Sequence, residues 1–208
     1  MRLHLITRNR LVVAFALFSL ASAAQAQPSK ARVLRLSLPH INSFYLQPSG
    51  EHDAKVNTGF WGFGVGLLFG HSRSQYVGVS ASVGADVKVP VPAFVDYIGE
   101  QEFMTTYAID LTNNHIRGHF SFGYGLAYGT NRWELDYFDD PAAMPPTRDP
   151  VERRSSSLGL AFPTYYSLND RFSLGLTYRP YLYRFGADAG FRYEHVISIE
   201  IAWNIELP

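Results

Sequence analysis

The feature of this sequence that most restricts its fold is a strict alternation of apolar and polar residues, which is clearest near the carboxyl end. Between positions 193 and 207 the apolar residues fall on one face and the polar residues on the other: Tyr193, Ile197, Ile199, Ile201, Trp203, Ile205 and Leu207 against Glu194, Ser198, Glu200, Asn204 and Glu206. Successive side chains of a β-strand point to opposite faces, whereas a helix would mix the two sets. This segment is therefore predicted to be a strand with one apolar face.

Seven earlier segments repeat the pattern, so the chain is predicted to be all-β with eight strands. The segments cover approximately residues 34–38, 61–69, 77–89, 103–111, 120–128, 158–162, 172–178 and 193–207. After Thr130 the large apolar residues move to odd positions, as at Trp133 and Leu135. This change of phase indicates either a β-bulge or a strand that continues beyond a membrane.

The connections between these segments alternate strictly between short and long. Short connections are predicted at residues 71–75, 113–116 and 169–170, and long ones at about 47–56, 90–99, 136–153 and 185–192. Barrels of the outer membrane have short periplasmic turns and longer external loops. An even number of strands then places both chain ends on the short-turn side, which predicts that both termini are periplasmic.

Composition indicates which face of each strand meets lipid. The polar rows are dominated by Gly, Ser, Ala and Thr, which fit the narrow interior of an eight-stranded barrel, whereas eight rows of large apolar residues would overfill it. The fold class predicted is an eight-stranded antiparallel up-and-down transmembrane β-barrel. Large aromatic residues near the ends of the apolar rows are predicted to form an aromatic girdle at the lipid boundaries: Trp61, Tyr107, Tyr128, Tyr166, Tyr178 and Trp203. The alternative is a soluble periplasmic lipocalin-like barrel with its apolar rows inside.

The first 26 residues read as a cleaved signal peptide. Arg2, Arg8 and Arg10 precede an apolar stretch, and Ala24-Gln25-Ala26 forms an A-x-A cleavage site. The apolar stretch is shorter than the roughly 20 residues that a membrane-spanning helix needs, so a membrane anchor is the weaker interpretation. Residues 27–208 are then predicted to form a single outer-membrane β-barrel domain.

The overall composition excludes several classes of function. The formal net charge is zero, which gives no reason to expect nucleic acid as a partner. The chain contains no cysteine, so disulfides, thiolate metal sites and cysteine nucleophiles are excluded. The acidic residues Asp136, Asp139 and Asp140 do not have EF-hand spacing, and no metal or other cofactor is predicted.

Charged residues on the polar rows, together with one histidine, are predicted to point into the barrel. They are Arg35, Asp86, Lys88, Glu102, Asp110, Arg117, His119, Arg179, Glu194 and Glu200. Both signs are present, so a paired polar network that fills the interior is the favoured interpretation, and the lining of a narrow ion path is the alternative. No serine has the context of a hydrolase nucleophile, and no catalytic residues are predicted.

In strand number, loop asymmetry, alternation and signal peptide, residues 32–207 resemble the small eight-stranded outer-membrane barrels of the OmpA-transmembrane and OmpX-like group. The segment Asn57-Thr58-Gly59-Phe60-Trp61-Gly62-Phe63 and the stretch from Tyr193-Glu194-His195 to Ala202-Trp203 resemble an uncharacterised Bacteroidetes-type group. The resemblance implies outer-membrane lipid as surroundings, insertion by the barrel-assembly machinery and a ligand at the surface loops. The sequence ends Glu206-Leu207-Pro208, without the terminal aromatic residue that many such proteins carry.

The function predicted from these features is that of a non-enzymatic outer-membrane barrel that presents surface loops in a structural or interaction role. Three alternatives are open at this point: a narrow pore or transport barrel, a lipid-modifying outer-membrane enzyme, and a soluble periplasmic lipocalin-like binder. Eight-stranded barrels have interiors just wide enough to be filled by side chains, so the contents of the lumen should distinguish among these functions.

Overall fold

The computed structural model describes residues 32–50, 53–72, 74–87, 99–138, 149–186 and 188–208. The predicted signal peptide lies outside these ranges. The described chain forms nine strands: β1 (Arg32–Leu46), β2 (Lys55–Gly59), β3 (Trp61–Ser72), β4 (Gln75–Ala85), β5 (Gly99–Arg117), β6 (Phe120–Phe138), β7 (Val151–Ser167), β8 (Phe172–Phe185) and β9 (Gly190–Leu207). The eight predicted strands are confirmed. The ninth arises because one strand is interrupted at Phe60, and its two parts, β2 and β3, both pair with β1.

The strands close into a ring. From β3 onward each strand pairs antiparallel with the next, and β9 pairs back with β1, from Arg32 opposite Leu207 to Tyr45 opposite His195. Since β2 and β3 act as one strand, the ring is an eight-stranded antiparallel barrel, which confirms the predicted fold class. Closure lets the backbone groups of the wall bond to one another, as a structure surrounded by lipid requires.

Short turns and longer connections alternate along the chain as predicted, but one turn lies elsewhere. The predicted connection at residues 113–116 is wrong, because these residues continue β5 and pair with β6. The turn consists of Gly118 and His119, and Gly118 has a φ of 61°, in the left-handed region that glycine adopts without strain. Residues 88–98 and 139–148 lie outside the described residues, and they include the end of the predicted strand 77–89 and parts of two predicted long connections.

The apolar rows of the strands point outward. On β6 the residues Ser121, Gly123, Ala127 and Gly129 are buried in the barrel. The alternating residues are exposed on the outer wall: Phe120, Phe122, Tyr124, Leu126 and Tyr128. The lipocalin-like alternative requires the opposite orientation. Among the described residues, no helix is long and apolar enough to span a membrane.

The change of pattern after Thr130 does not involve a bulge. Pairing between β5 and β6 is continuous from Gly99 opposite Phe138 to Arg117 opposite Phe120. Odd positions on β6 therefore stay inside, and Trp133 is an inward residue of a strand that continues past the apolar part of the wall. Of the two explanations offered by the sequence, the extended strand is the one observed.

Candidate functional site

The outer wall carries a continuous apolar surface, here called the apolar belt. On β6 it runs from Phe120 to Tyr128. With ~3.3 Å per residue and a strand tilt of ~40°, this stretch is about 20 Å tall along the barrel axis. It approaches the roughly 25 Å apolar band of outer-membrane barrels. On the long-loop side the outward row of β6 becomes polar, with Thr130, Arg132 and Glu134.

The six aromatic residues predicted to form a girdle all lie on the outer wall. Five of them are exposed, namely Trp61, Tyr107, Tyr128, Tyr166 and Trp203. Tyr178 is half-buried, and its hydroxyl lies 2.6 Å from that of Tyr193. Tyr166 and Trp203 are near the short-turn end, whereas Tyr107 and Tyr128 are near the long-loop end of the belt. Their role as lipid-boundary anchors remains a prediction.

The centre of the lumen holds a buried ion pair between β8 and β5. The Arg179 guanidinium donates to both carboxylate oxygens of Asp110, with Nη2 2.8 Å from Oδ2 and Nε 3.1 Å from Oδ1. Ser198 and Ser80 add longer hydrogen bonds, of 3.4 Å to Arg179 and 3.3 Å to Asp110. The two charges are 5% and 3% exposed, so each depends on the other for compensation inside the barrel.

Beside this pair, Ser37, His40 and Glu200 bring together the residue types of a hydrolytic triad. Ser37 Oγ lies 2.9 Å and Glu200 Oε2 3.0 Å from His40, but both contact the same nitrogen, Nε2. In a Ser–His–acid triad the two partners occupy opposite nitrogens of the ring. Glu200 also accepts hydrogen bonds of 2.7 Å from Tyr165 and 3.1 Å from Thr177. The cluster has the geometry of a structural network that satisfies a buried carboxylate.

A second charged layer lies nearer the long-loop end. Arg184 and Glu194, each 1% exposed, form an ion pair with 2.5 Å between Nη2 and Oε1. Glu194 also accepts hydrogen bonds from the Gln47 backbone at 2.9 Å and from Asn131 at 3.1 Å. Arg184 in turn donates to the Gln47 carbonyl. The layer thus joins four elements and holds the start of the first long connection across the barrel.

Apolar side chains close the lumen at the same end. This apolar plug consists of Phe44, Leu46, Met104, Trp133, Tyr181 and Val196, all at most 2% exposed. Tyr181 fits because position 129 is glycine, where a Cβ would lie 2.5 Å from the tyrosine ring. The Trp133 indole nitrogen donates to Glu102, which also pairs with Lys55 at 3.0 Å. The plug and the charged layer together fill the upper lumen.

The described residues of the lumen enclose small cavities below the plug. Two adjoining cavities of about 30 Å³ each share Arg35 and Tyr165 in their walls, and one of them reaches Asp110 and Glu200. Each has room for roughly two water molecules. The Arg35 guanidinium lies 3.8 Å from the centre of the Tyr165 ring. Space of this size suits a hydrated polar network better than an ion path.

The full chain inserted in a planar bilayer should therefore show no steady ion conductance. Insertion would be verified independently by flotation of the protein with vesicles of the same lipid composition as the planar bilayer. The charge-reversed variant Glu200→Lys serves as the comparison. A steady conductance in the wild-type protein whose ion selectivity changed in this variant would contradict the filled lumen and restore the pore alternative.

The structure places the residues predicted for the interior network in different surroundings. Six of its residues lie inside the barrel, namely Arg35, Asp86, Asp110, Arg179, Glu194 and Glu200, while Glu102 lies at the mouth. Arg117 and His119 were wrong: both are exposed, because Arg117 is at an outward position of β5 and His119 is in the turn, tilted against Tyr166. Lys88 lies outside the described residues. Asp86 accepts hydrogen bonds from the Met104 backbone at 2.8 Å and from Asn57.

Sequence reasoning missed several residues of the network. His40, Asn42 and Arg184 are almost fully buried, although none falls on a clearly alternating stretch. Pairing of β1 with β9 shifts register between Ser37 and His40, which breaks the pattern that would have placed His40 inside. Tyr165 and Met104 are also buried, and they were not among the residues predicted to point into the barrel. Inward apolar residues at one end of a strand are the signal that could have revealed the plug.

Above the belt, β6 and β7 carry a charged rim on the outer wall. Arg132 donates to Glu152 at 2.9 Å and also pairs with Glu134, while Arg154 lies 3.3 Å from Glu152. The hydrogen bond from Arg132 lowers the pKa of the Glu152 carboxyl below its usual value. Arg153 donates to the Ser49 carbonyl at 3.0 Å. Such exposed pairs contribute little to stability, and they mark where the wall leaves the apolar belt.

Comparisons with known proteins agree with this geometry at the level of the fold. No protein-family model matches the sequence, and no curated protein is significantly similar to it. The crystal structure of Ail, the attachment invasion locus protein of Yersinia pestis, is similar with a TM-score of 0.53 and 10% identity, over 84% of this chain and 98% of that chain. Ail in complex with the heparin analogue sucrose octasulfate matches with a TM-score of 0.52 and 9% identity, over 84% and 99% of the two chains.

Neisserial surface protein A aligns over 87% of this chain and 99% of its own, at 11% identity and a TM-score of 0.47. The architecture of the present chain consists of a ring of eight antiparallel strands, an outward apolar belt and a filled lumen. Together with the similarity to Ail, these features show that the chain has the fold of the small eight-stranded outer-membrane barrels.

Proposed function

We propose that this barrel resides in a bacterial outer membrane as a non-enzymatic protein, with both termini periplasmic and its long-loop end presented at the cell surface. Its role there is structural or one of interaction. The observation that carries the proposal is the combination of an apolar outer wall with a lumen filled by paired charges and an apolar plug. Such a barrel is a rigid scaffold, and in rigid scaffolds the connecting segments carry the function.

The contents of the lumen support a scaffold over an enzyme or a pore. The Ser37, His40 and Glu200 cluster lacks the arrangement of a triad, since one nitrogen of His40 serves both partners. The cavities near Arg35 have room for a few water molecules only. Insertion by the barrel-assembly machinery is part of the proposal, because a barrel with an apolar outer wall needs help to reach the membrane.

A polyanion is the first class of surface ligand to test. Ail was crystallised with a heparin analogue. In the present chain Arg153 and Arg154 are exposed at the rim, with the Arg154 side chain 63% exposed. Binding of heparin to the refolded barrel, weakened in the variant Arg154→Ala, would support this choice of ligand.

Replacing residues 139–148 by an epitope tag should leave the barrel folded and expose the tag on intact cells. These residues connect β6 to β7 at the long-loop end, and long insertions in surface connections cost little stability. Folding would be read from faster gel migration of the unboiled sample, and exposure from antibody labelling.

The matched control places the same tag between Gly118 and His119, in the turn at the opposite end. That tag should be labelled only after the outer membrane is permeabilised. Labelling of the turn tag on intact cells would contradict the proposed orientation, and loss of the gel shift in the first variant would contradict the scaffold.

A further inference from the structure

One sector of the outer wall carries polar side chains close to the short-turn end. They include His71 at the end of β3, Asn113 and His115 on β5, and Tyr124 on β6. On β6 the outward residues nearer that end are apolar, and on β7, β8 and β9 the outward residues nearest it are Tyr166, Phe172 and Leu207. The polar side chains therefore form a local cluster within an otherwise apolar wall.

The side chains of this sector contact one another across three strands. His71 Nε2 lies 3.3 Å from Asn113 Oδ1, and Asn113 Nδ2 lies 3.4 Å from His115 Nε2 and 3.3 Å from the Tyr124 hydroxyl. The His115 ring stacks on Tyr124 with 5.7 Å between centroids. These bonds are longer than the usual 2.7–3.2 Å, so the groups satisfy one another weakly and keep hydrogen-bonding capacity for a ligand.

The charge of the sector suits an anion. Arg117 follows His115 on the same outward row of β5 and is exposed. The described residues of 71–79 and 111–124 include no Asp or Glu, whereas they include Arg117 and three histidines. A guanidinium, imidazoles and an amide are donors that fit the oxygens of a phosphate group. We call His71, Asn113, His115 and Arg117 the lower polar cluster.

The same strands carry a groove further toward the long-loop end. It encloses about 360 Å³ on the outer wall and is lined by Phe63, Val65, Ala81, Val83, Tyr107, Ile109 and Tyr128, among others. The groove is deep at Ala81 because this small side chain lies between the larger Val65 and Ile109 on the neighbouring strands. From His115 to Ile109 is six residues, or about 15 Å along the barrel axis. Because Tyr107 and Tyr128 line it, the groove lies toward the long-loop end of the apolar belt, and the wall between the groove and His115 covers most of the height of the belt.

We propose that the lower polar cluster and the groove form a binding site for a phospholipid of the periplasmic leaflet. The cluster binds the phosphate, and one acyl chain runs along β4 and β5 toward the groove beside Ala81. A phospholipid offers a polar group for the cluster and an apolar chain for the wall above it, and both features lie on the same strands. The site goes beyond the proposed surface role and rests on the proposed function in two respects, the placement of the belt in the membrane and the periplasmic position of the short-turn end.

Native mass spectrometry of the full refolded chain in detergent tests the site with two probes. Phosphatidylglycerol carries the phosphate, and diacylglycerol with the same chains lacks it. The wild-type protein should retain phosphatidylglycerol about tenfold more strongly than diacylglycerol. The double variant His71→Leu with His115→Leu should retain the two lipids about equally. The matched control is His119→Leu, an exposed imidazole at the same end that lies against Tyr166, outside the cluster.

Two further variants separate the parts of the site. Ala81→Phe fills the groove and should weaken retention of both lipids. Arg117→Gln, at the exposed end of β5, removes the guanidinium, leaves His71, Asn113 and His115 in place, and should weaken retention of phosphatidylglycerol alone about threefold. Each variant would be checked for faster migration of the unboiled sample, so that a folding failure is seen separately.

Equal retention of the two lipids by the wild-type protein would overturn phosphate recognition. The assignment to the lower polar cluster would be overturned if phosphatidylglycerol were retained equally by three proteins: the wild-type protein, the double histidine variant and Arg117→Gln. Loss in His119→Leu as large as in the double variant would do the same. Failure of the wild-type chain to form a heat-modifiable barrel would instead contradict the proposed function.

Discussion

Leu126→Arg should lower the free energy of unfolding of the barrel in lipid vesicles by about 1–3 kcal/mol, between the cost of a charge at the bilayer midplane and at the interface. Leu126 is on the outward row of β6, 44% exposed, and it pairs with Leu111 and Leu160 on the adjacent strands inside the apolar belt. Urea unfolding of the vesicle-inserted protein, followed by tryptophan fluorescence, measures the change.

The matched control is Thr130→Arg, four residues further on the same row and next to the charged rim. Its cost should be about 0–1 kcal/mol, because a charge near the interface remains hydrated. On a barrel surrounded by water, both substitutions would stay within about 0.5 kcal/mol. Similar small effects at Leu126 and Thr130 would therefore show that the belt does not face lipid.

Arg179→Met should destabilise the barrel by about 3–5 kcal/mol, since it leaves the Asp110 carboxylate buried without its partner. Arg179 makes the shortest contact of Asp110, at 2.8 Å, and both residues are nearly inaccessible. The remaining neighbour in the described contacts, Ser80, is 3.3 Å away and cannot replace a guanidinium. The same unfolding measurement in vesicles gives the change.

The double variant Arg179→Met with Asp110→Leu distinguishes a lost attraction from an unpaired charge. Removing both partners should recover most of the stability lost in the single variant, because no uncompensated charge remains. If the double variant lost as much stability as the single variants Arg179→Met and Asp110→Leu lose together, the ion pair would not explain the effect. Glu152→Gln at the exposed rim serves as a comparison in which little change is expected.

Alternation in the sequence was sufficient to predict the strands, their outward faces and most of the inward charges. Each of these depends on the period of two residues along a single strand, which can be read locally. Asp110 and Glu200 lie on rows that alternation assigns to the polar face, with no knowledge of their partners. Short and long connections were also readable, because turn residues have local signatures.

Local reading failed where another strand decides the outcome. The run Asn113-Asn114 looks like a turn, but it continues β5 because β6 pairs along its whole length and Gly118 supplies the turn. The error concealed the contact of Asn113 with His71, which comes from a strand 42 residues earlier in the sequence. Arg117 and His119 were assigned to the lumen for the same reason.

The sequence by itself determined that the chain forms alternating strands with large apolar faces and small polar ones. Only the closed ring decided which charges meet: Asp110 and Arg179 are 69 residues apart, and Arg35 and Asn204 are 169 apart. It also decided that His40 shares Glu200 with Tyr165, and that Trp133 closes the lumen. The physical reason is that the direction of a side chain follows from the strand itself, whereas its partners depend on strand register and barrel closure, which join residues that the sequence separates.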